Sequence, residues 1–310
     1  MSEEDITQPS DSPKKSDSPK PETEEQQSPL QRYRPYGLSV SDLRDQMWCE
    51  KQMEFGLTQK KRTTEAMASG QKRHRALHEE VTEIIEVKPT TKEDRWGLYF
   101  FNAGTALCLL EQTGLSREIP VFGQIGDLWL LGIIDQIEVT PRCTLSFLDT
   151  KTRQRPRLPG YAQKQTTHLQ MMLYRKLFVQ LARQPFCMET FFAAKKLSGD
   201  VNFSDEFLAE LEPAGLSHKT LNDLIPWTME QFQKTPKVEM LMSVRYEWQQ
   251  DHSLLGVDQF PYQEHWLQQK IKASLPFWRG QRDAQGLQSN EGWKCRYCQF
   301  AEQCELSPNQ

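Results

Sequence analysis

The sequence predicts an α/β fold with a mixed central sheet and helices before, after and across it. Three observations carry this expectation. Three consecutive stretches, Glu118 to Phe122, Asp127 to Val139 and Cys143 to Asp149, have strand patterns, with turn-forming residues at Gly123 to Gly126 and Thr140 to Arg142 between them. The next stretch, Tyr161 to Arg183, switches to helical periodicity and is long enough to cross back over a sheet. Further on, Val238 to Gln249 alternates like one more strand. With 310 residues, 37% of them hydrophobic, the chain can bury a sizeable core.

The remaining elements follow in chain order. Residues 1–37 are rich in Ser, Pro, Glu, Gln and Lys, and they cannot bury enough apolar surface to offset the entropy of ordering. A disordered acidic tail is expected there. A single domain then spans residues 38–305, with 306–310 as a short C-terminal tail. Ser39 to Asp42 reads as a capping box before a helix bearing Leu43, Met47 and Trp48, with Cys49 at its end. Helices are expected over Ala66 to Ile85, Asp94 to Gln112 and Pro261 to Arg282. There is no internal repeat.

The net charge of −4 argues against wholesale coating of nucleic acid but allows a local basic groove. No apolar run approaches the roughly 20 residues of a membrane span, and no export signal opens the chain. The expectation is an intracellular protein with reduced cysteines and no membrane partner, in which clustered thiols bind metal rather than pair.

Asp135 interrupts an apolar strand, and fourteen residues later the neighbouring strand ends in Asp149-Thr150-Lys151. A short antiparallel turn can bring the two aspartates side by side. Paired carboxylates on an apolar sheet repel each other unless a cation joins them, and hard divalent ions such as Mg²⁺ suit carboxylate oxygens. Alternation puts Lys151 on the face of Asp149, where it can orient or help deprotonate an attacking water and offset phosphoryl charge. An isolated D-x-K is often a surface ion pair; the buried-looking Asp135 nearby favours a joint site. On the helix upstream, His74 and His78 share a face, and one of them could complete a metal shell.

After Lys151 comes the densest basic stretch of the chain, with Arg153, Arg155, Arg157 and Lys164 around Tyr161. Arginines there could grip phosphates while Tyr161 stacks on a base. Near the C-terminus, Cys295, Cys298 and Cys304 fall within ten residues. Three thiolates leave a four-ligand metal site one ligand short, so a fourth is expected from elsewhere. Buried packing is the expected role of Cys108, Cys143 and Cys187.

A helical His, a strand Asp, a D-x-K on the next strand and Gln170-x-x-x-Tyr174 on the following helix together resemble the RecB-type branch of the PD-(D/E)xK nucleases. A cysteine before that core and three after it resemble its iron–sulfur members. Arg245 to Gln249, Phe277 to Gly280 and Trp293 to Cys304 are closely similar to the eukaryotic exonuclease V family. The resemblance implies a restriction-endonuclease-like core and a single-stranded-DNA exonuclease using Mg²⁺ or Mn²⁺. It also implies a 4Fe–4S cluster on Cys49, Cys295, Cys298 and Cys304 that joins the two ends of the chain. His74, Asp135, Asp149 and the Thr150 carbonyl would bind the catalytic metal, Lys151 would be the catalytic lysine, and Gln170 and Tyr174 would steady the site or the strand. Relatives often carry Glu four residues after the helical His, where this chain has His78 followed by Glu79, so the roles of those two stay open. Asp149 also stands where Glu is frequent. Zinc is the competing metal for the thiols, although structural zinc more often uses two close cysteine pairs.

The resemblance further implies a monomer acting in DNA repair in the nucleus, with a single-strand-binding protein or helicase as partner; cytoplasm and mitochondrion stay open. The rival readings are a nuclease fold that binds single strands without turnover, which the intact Asp135, Asp149 and Lys151 count against, and an RNA nuclease.

Overall fold

The computed structural model describes residues 27–83 and 87–307. Most of the expected N-terminal tail, residues 1–26, lies outside the described residues, as do 84–86 at the end of the second expected helix and 308–310 of the C-terminal tail. Regular structure begins before Leu38, because Pro29–Tyr33 forms a short helix, α1, started by a Ser28–Gln31 capping box. After the two-residue strand β1 (Leu38–Ser39) come α2 (Val40–Trp48), α3 (Glu50–Thr58), α4 (Glu65–Glu79) and α5 (Lys92–Thr113). The Ser39–Asp42 capping box is present, with Ser39 N–H donating to Asp42 and Asp42 N–H donating to Ser39 Oγ. Cys49 is at once the C-cap of α2 and the N-cap of α3, in extended conformation.

The strands β2 (Leu115–Ile125), β3 (Leu128–Val139) and β4 (Leu145–Arg153) form an antiparallel meander. α6 (Tyr161–Arg183), α7 (Met188–Lys195), α8 (Asp205–Leu211) and α9 (Leu221–Lys234) follow, and β5 (Leu241–Trp248) then pairs parallel to β4. That parallel step is what requires the long helical crossover. β6 (Leu254–Pro261) closes the edge antiparallel to β5, and α10 (Glu264–Trp278) precedes a C-terminal segment that includes a 3-10 helix, Ser289–Tyr297. The result is a mixed sheet of six strands flanked by helices, with a core of residues such as Phe100, Phe122, Phe147, Phe178 and Phe191 under 2% exposed.

Two details of this sheet position the site. β2 occupies one edge of β3 along nearly its whole length, so β1, at Leu130 and Leu131, and β4, from Gln136 onward, must share the other edge. Between them the sheet forks, and Asp135 sits in the fork. The second detail is the β2–β3 turn. Ile125 pairs with Leu128, leaving Gly126 and Asp127 as a two-residue loop with Gly126 at φ +64°. Glycine takes that left-handed conformation without steric cost. The turn is therefore tighter than the expected Gly123 to Gly126 loop, and β2 runs on through Gly123.

The expectation of buried packing for the three remaining cysteines holds only in part. Cys143 and Cys187 are exposed and Cys108 is half-buried. Cys143 sits at φ +55° in the β3–β4 turn, and Cys187 caps the start of α7, so neither turns its side chain inward.

Candidate active site

The Gln136–Leu148 pairing of β3 with β4, continued by one residue, sets Asp135 opposite Asp149. Asp149 is fully buried, and its Oδ1 accepts a hydrogen bond from Lys151 Nζ at 2.9 Å. The Oδ2 atoms of both aspartates are buried without a hydrogen-bond partner among the described residues. Unsatisfied buried carboxylate oxygens are costly, and a cation would satisfy them.

α4 lays His74 over this pair. Its Nδ1 lies 3.4 Å from Asp135 Oδ2 and 3.9 Å from Glu118 Oε1, and the ring also hydrogen-bonds the Thr150 backbone. Ligand atoms of His74, Glu118 and Asp135 all lie within 4.8 Å of one another, the tightest metal-compatible group among the described residues. Glu118 belongs to this site but was not among the residues singled out from the sequence. It faces Asp135 across the β2–β3 hairpin, between the Arg117–Gln136 and Ile119–Ile134 pairs, and φ +54° aims it out of the regular ladder.

The charges are strongly coupled. Burial first, and then the Asp149 charge, push the Asp135 carboxyl well above the usual range. Burial pushes Asp149 the same way, but the Lys151 ammonium and hydrogen bonds from Asp135 and Lys151 outweigh it and keep Asp149 ionised. The two aspartates therefore titrate as a coupled pair, with Asp135 the harder to ionise. Glu118 is pushed up to about 7, by burial and then by Asp149. Burial opposes the charge of Lys151, yet Asp149 and Asp135 together hold its ammonium above the ordinary lysine value. His74 is lowered, by burial and then by Lys151, and so presents a neutral imidazole for ligation.

Gln170 and Tyr174 lie buried on α6 beneath this group, with Gln170 Nε2 donating to Tyr174 Oη at 2.8 Å. Burial and then the Asp135 charge push the Tyr174 phenol up to about 12, so it remains protonated. The ring fits only because residue 132 is glycine: a Cβ there would meet Tyr174 Cε1 at 2.5 Å. His78 and Glu79 stay apart. His78 points toward Arg117, and Glu79 accepts a hydrogen bond from Arg75 at the surface.

Of the basic stretch, Arg155 and Arg157 are exposed, Tyr161 is 78% exposed and Arg153 is half-buried. Lys164 is already engaged, at 3.1 Å from Asp258 Oδ1. At the far end of α2, Cys49 meets Cys295, Cys298 and Cys304 around one cavity of about 20 Å³. Burial pushes the Cys49 thiol up against a hydrogen bond with the Gln52 backbone, and the neighbouring thiols add to the rise. Trp48 packs edge-on against Trp293 at 5.6 Å, Phe55 lies 5.3 Å from Phe300, and the buried Lys294 donates to the Trp48 carbonyl at 3.0 Å.

A sequence profile of the family described as Exonuclease V, a 5′ deoxyribonuclease, matches residues 28–144, 138–215 and 212–306. Exonuclease V of the zebrafish Danio rerio is 29% identical over 289 residues, covering 91% of this chain and 73% of the fish protein. The crystal structure of SSO0001 aligns over 87% of each chain with TM-score 0.37 and 13% identity, too distant to carry an argument. No described helix is long and apolar enough to cross a membrane. The matched segments run through the carboxylate–lysine group and all four clustered cysteines, and on that ground the chain belongs to the exonuclease V family of DNA nucleases.

Proposed function

We propose that this chain is a Mg²⁺- or Mn²⁺-dependent exonuclease specific for single-stranded DNA, with a RecB-type catalytic core and a structural 4Fe–4S cluster. The observation that carries the catalytic reading is the pair of orphaned oxygens on Asp135 and Asp149, set beside Lys151 and within reach of His74 and Glu118. The carboxylates match what a hard divalent ion accepts, and the neutral imidazole adds a softer donor beside them. Asp135, Asp149, His74 and Glu118 would hold the ion, with the Thr150 carbonyl adjacent. When bound, such an ion supplies Lewis-acid polarisation of phosphoryl oxygens and lowers the pKa of water.

The chain's own groups do the rest. Lys151, held as an ammonium by Asp149, donates toward the attacking water and offsets charge on the phosphoryl oxygens; it is a donor and not a base. Gln170 and Tyr174 fix the floor of the site from α6. Arg155 and Arg157 lie on the exposed loop leaving β4 and the exposed Tyr161 opens α6, suited to phosphates and to base stacking.

Four thiols around one cavity suit either iron–sulfur or zinc chemistry. Zinc, at about 2.3 Å from each sulfur, draws its ligands within roughly 4 Å of one another. One remote cysteine joined to a compact trio, rather than two close pairs, favours the iron–sulfur cluster. Cys49, Cys295, Cys298 and Cys304 would then hold a structural clasp. This reading implies a monomer in nuclear DNA repair that acts on strands delivered by a helicase or a single-strand-binding protein.

The test is digestion of end-labelled single-stranded and double-stranded DNA and of RNA, with Mg²⁺ or EDTA. Asp135→Ala and Lys151→Ala should each lower single-strand turnover by about a hundredfold to a thousandfold, the scale of losing one preorganised charge-stabilising group, while binding to the strand is retained. Metal-dependent digestion persisting in both variants would overturn the assignment.

A further inference from the structure

Beside Lys151, and away from the His74–Glu118–Asp135 group, a cavity of about 280 Å³ opens between α2, the ends of β4 and β5, and the start of α6. Its charged lining is Arg44, Asp45, Lys151 and Arg153. Arg44 is bound to Asp45 at 2.8 Å and Lys151 to Asp149 at 2.9 Å. Arg153 makes no side-chain hydrogen bond or ion pair among the described residues. The cavity is also lined by Tyr246, which is 2% exposed and whose hydroxyl has no hydrogen-bond partner among the described residues. Burial and then the Asp258 charge hold that phenol above its ordinary value, so it stays a neutral donor. A buried hydroxyl without a partner costs free energy in the free protein. Together with the unpaired Arg153, it makes this a wall of unanswered donors facing one space.

The register of the sheet sets the spacing. Lys151 pairs with Tyr246 across β4 and β5, so the two side chains share a face, and alternation puts Arg153 on that face as well. Two steps along a strand is roughly 6.6 Å, about the reach from one phosphate to the next along an extended single strand. With the scissile phosphate at Asp135, Asp149 and Lys151, the next phosphate falls into this cavity.

We propose that the cavity is a subsite for the phosphodiester adjacent to the scissile one, with Arg153 and Tyr246 as its positioning residues; this rests on the reading above that the chain cleaves single-stranded DNA. The subsite fixes which bond lies over the carboxylates, because a neighbouring phosphate is held one step away. It recognises the anionic linkage and not the base.

The test uses a single-stranded oligonucleotide with one internal methylphosphonate, a neutral replacement for one linkage, and maps cleavage bond by bond. In the wild type, cutting at the bond on one side of the neutral linkage should fall by at least about tenfold against the all-phosphate strand, the scale of one lost charge-assisted hydrogen bond. In Arg153→Ala and in Tyr246→Phe that ratio should shrink toward one, because the contact is already missing. An undiminished ratio in both variants, or none in the wild type, would overturn the subsite. Thermal melting of Tyr246→Phe is the control: the unpartnered hydroxyl predicts an unchanged or higher melting temperature, and a fall would show that the hydroxyl serves the fold instead. If the wild type digests no single strand at all, the parent reading fails, and the subsite is judged on equilibrium binding of the same oligonucleotides in EDTA. There Arg153→Ala should weaken the all-phosphate strand and reduce the salt slope by about one, and equal binding would sink it.

Discussion

Asp135 and Glu118 both keep protons more tightly in the folded chain than carboxyls normally do, and this gives the free protein a distinctive response to pH. For Glu118 the ordinary value is 4.5 and the folded value about 7, raised by burial and then by Asp149. A carboxyl with a raised folded value contributes stability that is fully present below its unfolded value and is lost as the pH climbs through the folded one. The metal-free protein should therefore melt at a lower temperature at pH 8 than at pH 5.5. Glu118→Gln should flatten that difference, and Mg²⁺ should restore the wild type at the higher pH, because cation binding removes the same protons. Melting curves in EDTA at the two pH values check this; a wild-type curve indifferent to pH would refute the coupling. His74 and Lys151 could be read from the sequence because each stands in a spacing with chemical meaning. Tyr246 could not, since a tyrosine in an alternating strand announces nothing until its hydroxyl is found without a partner.

Single glycines in the elements decide whether these residues meet. Gly132 leaves room for the Tyr174 ring, which a Cβ would strike at 2.5 Å while also meeting Val40 Cγ2 at 2.9 Å. Gly132→Ala should cost about 1–3 kcal/mol in stability, the range for overpacking a closed core, and should lower turnover because β3 carries Asp135 three residues on. Denaturant unfolding and initial rates measure both, and a variant as stable and active as the wild type would contradict this packing. Gly123 explains why Glu118 was hidden. In the sequence it looks like the start of a turn, but it lies inside β2, where the Gln180 side chain of α6 presses against its backbone. Reading a loop from Gly123 to Gly126 displaces the register of the hairpin and removes Glu118 from opposite Asp135. The Asp135–Asp149 pair was legible even though the β3–β4 turn also differs: it runs from Thr140 to Thr144, two residues longer than expected, and a shift of two keeps both aspartates on the same face. β6 and the short β1 were not foreseen: one alternates weakly on an exposed edge, and the other has only two residues.

Across the whole molecule the four clustered cysteines tie α2 and α3 to the C-terminal segment. Side chains reinforce the tie, with Gln59 and Gln303 hydrogen-bonded to each other and Gln299 Oε1 accepting from the Arg62 backbone. Cys49→Ser and Cys304→Ser should each abolish the visible iron–sulfur absorption of anaerobically purified protein and expose the segment after α10 to limited proteolysis. Asp135→Ala should change neither. Iron content and absorption preserved in Cys49→Ser would exclude a ligand role for that thiol.

The distance along the chain between these cysteines also orders events during synthesis. Cys49 leaves the ribosome when the sheet does not yet exist, and its three companions follow only after every strand and the whole carboxylate–lysine group have been made. The residues of the nuclease site can therefore come together on a nascent chain before the four thiols can meet.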